Sequence, residues 1–141
     1  MTTRPPKGNL FTPGRGREPG EHVATLLDEG TVRVERIASH GERSPDGFWY
    51  DQKNGEWVLL LAGAARLQIE GEPAEVELGP GDFLTLPPRL RHRVSWTDPR
   101  RETIWLAVHF TPRKPVRKGR KTAARAPKPP KPRPTSRRIP R

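Results

Sequence analysis

The sequence predicts an all-β protein folded as an antiparallel sandwich or small barrel. Short runs of β-forming residues are broken by Gly or Pro every eight to twelve residues or so, most regularly between Glu56 and His92. No segment shows convincing helical periodicity over about eleven residues. A chain of 141 residues has room for one domain of this kind and little more.

Charge and composition divide the chain into three regions. The net charge is +11, but residues 111–141 hold 13 Lys or Arg, eight Pro and no Asp or Glu, so residues 1–110 are nearly neutral. We expect an irregular N-terminal arm at 1–21, a β-domain at 22–110 and a tail at 111–141. The tail has no apolar face to bury, which predicts a disordered or polyproline-like segment.

The same composition bears on partners and location. The tail predicts weak, salt-sensitive contact with nucleic acid or another polyanion, or else a solubilising role, and it lacks aromatic residues for base stacking. No apolar run is long enough to cross a bilayer and no apolar signal core is present, so we expect a cytoplasmic protein without membrane contact. Because the chain has no cysteine, disulfides, thiolate nucleophiles and Cys-ligated metals are excluded.

The first two predicted strands precede a polar loop. Residues 22–27 and 32–38 are expected to be strands, since the second run alternates apolar and charged residues as a half-buried strand does. Residues 40–47 have the composition of a loop. The aromatic and polar run at 48–52 then predicts a pocket wall or packing at the barrel mouth or a dimer interface.

Six further strands are predicted, at 56–62, 64–70, 74–78, 82–86, 90–97 and 102–110. Residues two apart on a strand share a face. If both polar residues face inward, the inward sets are Glu56, Val58, Leu60 and Ala62 on one strand and His92, Val94 and Trp96 on another. Burying a carboxylate or an imidazole alone is costly, so a partner, a water or a metal is expected beside them.

Two motifs in this region resemble those of the cupin superfamily. Glu56, followed by six residues and Gly63, keeps the spacing that ends the first cupin motif. The run PGDFLTLPPRLRH, which ends at His92, matches the Pro-Gly-Asp-x4-Pro-x4-His variant of the second motif. The resemblance covers residues 22–110 and implies a single antiparallel jelly-roll β-barrel, often dimeric, with any site inside the barrel.

The first motif departs from the metal-binding pattern of the family. Metal-binding cupins place His-x-His four or five residues before the motif glutamate, and this chain has either Trp49 and Asp51 or Tyr50 and Gln52 there. For one divalent ion (Fe, Mn, Zn or Ni), the resemblance leaves Glu56, His92 and either Asp51 or Gln52 as ligands. His109 joins this set if it points inward with Trp105 and Ala107.

These observations predict a barrel that binds a small molecule and forms a homodimer, with no single residue assigned as catalytic. The predicted pocket residues are Trp49, Tyr50, Asp51, Gln52, Glu56, His92 and His109. Two versions stay open. In a metal-dependent enzyme, Glu56 and His92 coordinate an ion that polarises a substrate oxygen. In a metal-free binding or sensing module, the same two residues hydrogen-bond the ligand directly. The fold does not decide between the enzyme and the binding module.

Overall fold

The structure is a computed structural model that describes residues 4–12 and 20–114. Its eight strands are β1 (His22–Glu29), β2 (Val32–Ser39), β3 (Gly55–Ala62), β4 (Ala65–Ile69), β5 (Val76–Leu78), β6 (Phe83–Leu86), β7 (His92–Thr97) and β8 (Thr103–Phe110). The all-β prediction is confirmed, and a helix long and apolar enough to cross a membrane is absent from these residues. The expectations of tail disorder and polyanion binding fall mainly on 115–141, outside the described residues.

The strands form two antiparallel sheets that face each other. One sheet has the order β1-β2-β8-β3-β6 and the other the order β5-β4-β7. The core between them consists of Val58, Leu60, Ala65, Leu67, Leu78, Leu86, Trp105 and Ala107. Because side chains alternate along a strand, these inward residues place Glu56 and His109 on the inner face as well, beyond the apolar core.

A β-bulge in β7 changes the direction of one predicted core residue. The pairing of β4 with β7 slips between Arg66 and Leu67, so that Trp96 lies opposite Arg66 and Val94 opposite Leu67. The Arg66 guanidinium lies 4.9 Å from the Trp96 ring centroid, on the outer face, while Thr97 is 2% exposed. The prediction that Trp96 points inward with His92 is therefore wrong.

A similar irregularity affects the end of β3. The pairing of β3 with β8 slips between Leu60 and Ala62, which places Ala62 opposite Ile104 instead of continuing the alternation from Leu60. Ile104 lies on the opposite face of β8 from Trp105, so Ala62 leaves the inward set that contains Leu60. The first irregularity lies inside β4 and β7 and the second at the end of β3, and strict alternation fails at both places.

The loop at 40–47 is attached to the side of β7. Ser44 N–H donates to Val94 O at 2.8 Å, and Val94 N–H donates to Ser44 Oγ at 3.0 Å. Thr97 Oγ1 donates to Glu42 O at 2.6 Å. Directly after this loop, Tyr50 and His92 exchange backbone hydrogen bonds of 2.7 and 3.2 Å. The loop thus delivers the segment 48–52 beside the first residue of β7.

Candidate functional site

A cavity of about 260 Å³ lies between the two sheets, beyond the apolar core. Its apolar wall includes Val58, Leu67, Leu86 and Trp105, whose other contacts belong to the core. The remaining lining is mainly polar, with Val23, Ile37 and Val94 as further apolar residues, and comes from β1, β2, β3, β7, β8 and the segments just outside them. A small concave site with an apolar wall and a few convergent polar groups is typical of ligand-binding pockets.

The first polar pair consists of Glu56 on β3 and His92 on β7. Both are buried, and Glu56 Oε2 lies 3.8 Å from His92 Nε2, which is longer than a hydrogen bond. His92 Nδ1 lies 2.9 Å from Leu90 O. Since a carbonyl oxygen can only accept, Nδ1 carries a hydrogen, and Nε2 faces Glu56. A ligand group can therefore contact both the imidazole and the carboxyl group.

Burial raises the pKa of the Glu56 carboxyl group above its usual value of 4.5. The neighbouring His109 and His92 oppose this increase, and the carboxylate of Glu35 adds to it. Burial also raises the pKa of the Tyr50 hydroxyl group, with a further contribution from the charge of Glu56. Glu56 is thus a carboxyl group that keeps its proton to higher pH than an exposed glutamate would.

The second polar pair is formed by Glu35 on β2 and His109 on β8. Glu35 Oε2 lies 3.4 Å from His109 Nε2, but the two groups are not aligned for a hydrogen bond, and Nε2 is buried without a hydrogen-bond partner. The other Glu35 oxygen lies 2.6 Å from Arg33 Nε. His109 lies opposite Glu56 on β3 and opposite Arg33 on β2. The two Glu–His pairs are therefore neighbours in one polar cluster.

Five of the seven predicted pocket residues line the cavity, namely Tyr50, Gln52, Glu56, His92 and His109. Tyr50 stacks on the His92 imidazole, with ring centroids 5.3 Å apart and an interplanar angle of 23°. Its ring also meets Phe48 edge-on at 4.9 Å. The aromatic run thus supports the histidine and forms part of the cavity wall.

Trp49 and Asp51 are not among the residues that line the cavity. The Trp49 ring lies beside the Arg91 guanidinium, 5.8 Å from it, and Asp51 is ion-paired with Arg89 at 3.4 Å. The Asp51 side chain is 47% exposed. Since alternate residues of this segment point to opposite sides, the positions that face the cavity hold tyrosine and glutamine.

Four polar residues of the cavity were not predicted from the sequence: Arg33, Glu35, Ser39 and Glu21. The first three share the inner face of β2 with Ile37. The alternation predicted a half-buried strand without deciding which face turns inward, and the inward face begins with Arg33 and Glu35 and continues with Ile37 and Ser39. The available signal was the alternation alone, and alternation does not say which of the two faces turns towards a cavity. Glu21 lies outside the strand and carries no such signal.

The cluster does not fit a resident divalent ion. Among residues 4–12 and 20–114, no group of three or more His, Asp or Glu is arranged to hold a metal. Protein metal sites normally require three or four ligands. Tyr50 and Gln52 face the cavity where the first-motif histidines were sought, and Asp51 binds Arg89 outside it. The donors that remain are the two neighbouring Glu–His pairs.

A model of the Cupin domain family matches residues 33–109, more than half of the chain. The chain belongs to the cupin family. The match contains all four members of the polar cluster, Glu35, Glu56, His92 and His109. The resemblance inferred from the two motifs is thereby confirmed, and so is the jelly-roll fold it implied.

Solved structures similar to this cupin include one at substantial sequence identity. A protein from Ralstonia eutropha JMP134, proposed to be a mannose-6-phosphate isomerase, is 44% identical, with a TM-score of 0.73 over 77% of this chain and 100% of its own. A cupin superfamily protein from Desulfitobacterium hafniense DCB-2 is 17% identical, with a TM-score of 0.57 over 70% of this chain and 84% of its own. An RmlC-like cupin from Shewanella frigidimarina NCIMB 400 is 16% identical, with a TM-score of 0.58 over 77% and 91%. The last two show the fold alone. No curated protein matches the chain.

Proposed function

We propose that this cupin binds a small polar molecule directly in its cavity, through its two Glu–His pairs and without a resident metal ion. The observation that carries the proposal is His109 Nε2, which is buried against the cavity without a hydrogen-bond partner. A buried polar atom left unpaired costs free energy, and native proteins rarely retain one without a bound partner or a functional reason. Because this atom has almost no exposed surface, a ligand gives Nε2 a partner, and removes that cost, only when the His109 side chain moves towards the cavity.

The first pair supports the same proposal. The 3.8 Å between Glu56 and His92 is too long for a direct hydrogen bond, so a hydroxyl or amino group of the ligand can bond to both residues. The hydrogen bond of His92 Nδ1 to Leu90 O keeps the imidazole in place without occupying Nε2. Tyr50, stacked on the same ring, restricts its rotation further.

A second candidate function is isomerisation of a sugar, which the similarity to the Ralstonia protein favours. Such a reaction needs a group that removes a proton and one that returns it. Glu56, whose pKa is raised by burial, and His92, with Nε2 facing it, are positioned to exchange a proton with a bound substrate. The direct test is to incubate the protein with mannose 6-phosphate and follow its conversion by NMR.

The primary proposal is tested by elemental analysis followed by a thermal-shift screen of the full chain. We expect untagged protein, purified without chelator, to contain no stoichiometric Fe, Mn, Zn or Ni, and we expect metal addition not to raise its Tm. Small polar molecules from a diverse set should raise the Tm, and His109→Phe should remove that increase. The matched control is His40→Phe, whose imidazole pairs with Glu102 with 55% of its side chain exposed.

Two outcomes would contradict the proposal in different ways. Stoichiometric metal that disappears in His92→Ala would replace direct binding by a metal centre, with Glu56 and the histidines as its ligands. If no compound in the set raises the Tm of the wild-type protein, or if stabilisation persists in His109→Phe, the buried Nε2 does not mark a ligand site.

A further inference from the structure

We propose that Arg93 is a positioning residue of the cavity, which determines which side of the segment 48–52 faces it. Arg93 follows His92 on β7 but does not line the cavity, and its guanidinium contacts the loop at 40–47 instead. This role rests on the proposed function, because it concerns the wall of the same cavity. Its test needs no ligand, so either proposal can fail without the other.

The loop and the residues after it run along the free edge of β7, but they leave that edge for part of the way. Ser44 pairs with Val94 through two hydrogen bonds, of 2.8 and 3.0 Å. Tyr50 pairs with His92 through two more, of 2.7 and 3.2 Å. Positions 44 and 50 are six residues apart, whereas their partners at 94 and 92 are two apart. Residues 45–49 therefore form an excursion away from the edge.

The Arg93 guanidinium closes the base of this excursion. Its Nη2 donates to Ser44 O at 3.0 Å and to Pro45 O at 3.4 Å, and lies 3.7 Å from Asp46 Oδ1. Pro45 O also accepts a hydrogen bond from Phe48 N–H at 3.0 Å, within the excursion itself. The Arg93 side chain is 15% exposed, whereas that of Asp46 is 89% exposed. The hydrogen bonds to the carbonyl groups therefore contribute more than the solvated ion pair does.

Another atom of Arg93 indicates that the residue does more than fill space. Nε is buried and has no hydrogen-bond partner among the described residues. A buried donor without a partner costs free energy. Methionine, which is unbranched and has no donor, would fill the same space without that cost. The contribution of Arg93 thus lies in the contacts of Nη2 with the loop.

The place at which the excursion returns to β7 decides which side chains face the cavity. With Tyr50 opposite His92, Tyr50 and Gln52 line the cavity, while Trp49 and Asp51 do not. A shift of one residue would exchange the two sets, because alternate side chains point to opposite sides. The cavity would then have an indole and a carboxylate in place of a phenol and an amide. The arginine at the base of the excursion thereby affects which polar groups a ligand meets.

The far end of the segment has an attachment of its own. Arg89 N–H donates to Gln52 O at 2.7 Å. The side chains of Arg89 and Asp51 are also paired, but both are largely solvated, so that pair adds little. Arg93 secures the near end. Without it, we expect residues 45–50 to loosen while Gln52 stays attached.

Arg93→Met tests this role, because methionine removes the donors. NMR on the full chain measures two quantities: the chemical shifts of the His92 imidazole protons, which the stacked Tyr50 ring displaces, and the exchange rate of the Tyr50 amide hydrogen. We expect the His92 resonances to move most of the way towards their positions in Tyr50→Leu. The Tyr50 amide should exchange at least roughly tenfold faster than in the wild type, while the amides of β3 and β8 change less.

Two further variants separate positioning from general stability. Arg93→Lys keeps a donor for the loop carbonyls and lacks the unpaired Nε, so both quantities should stay near their wild-type values. The matched control is Arg91→Met. Arg91 precedes His92 as Arg93 follows it, but its side chain is 44% exposed and pairs with Glu70 at 2.6 Å. This control should leave both quantities unchanged.

Three results would overturn the positioning role of Arg93. The first is a folded Arg93→Met whose His92 resonances and Tyr50 amide exchange match the wild type. The second is faster exchange shared equally by the amides of β3 and β8, which would show a general loss of stability. If Arg93→Met does not fold, loss of the wild-type values in Arg93→Lys is the third. The thermal-shift screen decides the proposed function separately in each case.

Discussion

Replacing Gly63 with alanine is expected to destabilise the folded domain by about 3 kcal/mol or more. Gly63 has φ +84°, and a Cβ there would lie 2.4 Å from Thr103 Oγ1, 2.6 Å from Thr103 Cα and 2.7 Å from Glu102 O. Two of these atoms belong to the backbone that leads into β8, so they cannot move aside cheaply. The cost combines overpacking with a left-handed backbone conformation that L-residues disfavour. Urea denaturation of both proteins measures the difference.

Gly71→Ala is the matched control. Gly71 has φ +86°, nearly the same as Gly63, but no heavy atom lies within 4 Å of an added Cβ. The only cost is then the left-handed backbone conformation that alanine disfavours, and the lower entropy of the unfolded alanine variant partly offsets it. We therefore expect the free energy of unfolding to fall by about 1 kcal/mol. Equal losses for the two variants would show that the contact with Thr103 is not what requires glycine at position 63.

Gly63 also explains why motif spacing predicted the fold well. It closes the first motif seven residues after Glu56, where the chain turns from β3 towards β4 against the start of β8. Each predicted strand is present with ends shifted by at most two residues, because Gly and Pro interrupt the chain where turns are needed. The inward direction of Trp96 was predicted wrongly, since a bulge depends on pairing with another strand and leaves no local signature.

The candidate site was predictable only in part. The inward positions of Glu56 and His92 followed from alternation along strands with clear apolar faces. The choice between Tyr50 and Trp49 could not be made from sequence, because it depends on how the loop at 40–47 attaches to β7. Glu35 was missed because β2 directs charged residues inward beside a cavity, and the cavity exists only once both sheets are assembled.

Glu56→Gln is expected to stabilise the folded protein at neutral pH while weakening ligand binding. Since burial raises the pKa of Glu56 in the folded state, the unfolded chain releases this proton at lower pH. The wild type therefore loses stability as the pH rises from about 4.5 through the pKa of the folded state, by about 1.4 kcal/mol per pH unit within that window. Glutamine does not titrate and avoids this loss.

The measurement is the free energy of unfolding of both proteins from pH 4 to pH 8, compared at each pH. The groups that face Glu56 (Glu35, Arg33, His92 and His109) are present in both proteins, so their independent contributions largely cancel in the difference. We expect the free energy of unfolding of Glu56→Gln to exceed that of the wild type by a small amount at the acidic end and by an increasing amount as the pH rises. An advantage that is constant with pH, or largest in acid, would contradict a raised pKa.

If Glu56→Gln unfolds with a higher free energy than the wild type and also binds ligand less well, Glu56 serves ligand binding. A carboxyl group that served only packing would not be expected to lower the stability of the fold that contains it. Natural proteins tolerate such residues where activity depends on them. Glu77→Gln provides the control, since that side chain is 79% exposed beside Arg66 and should alter neither stability nor binding. If Glu56→Gln is more stable and still binds the ligand as tightly as the wild type, the cavity contacts its ligand through Glu35 and His109, and the Glu56–His92 pair has no part in recognition.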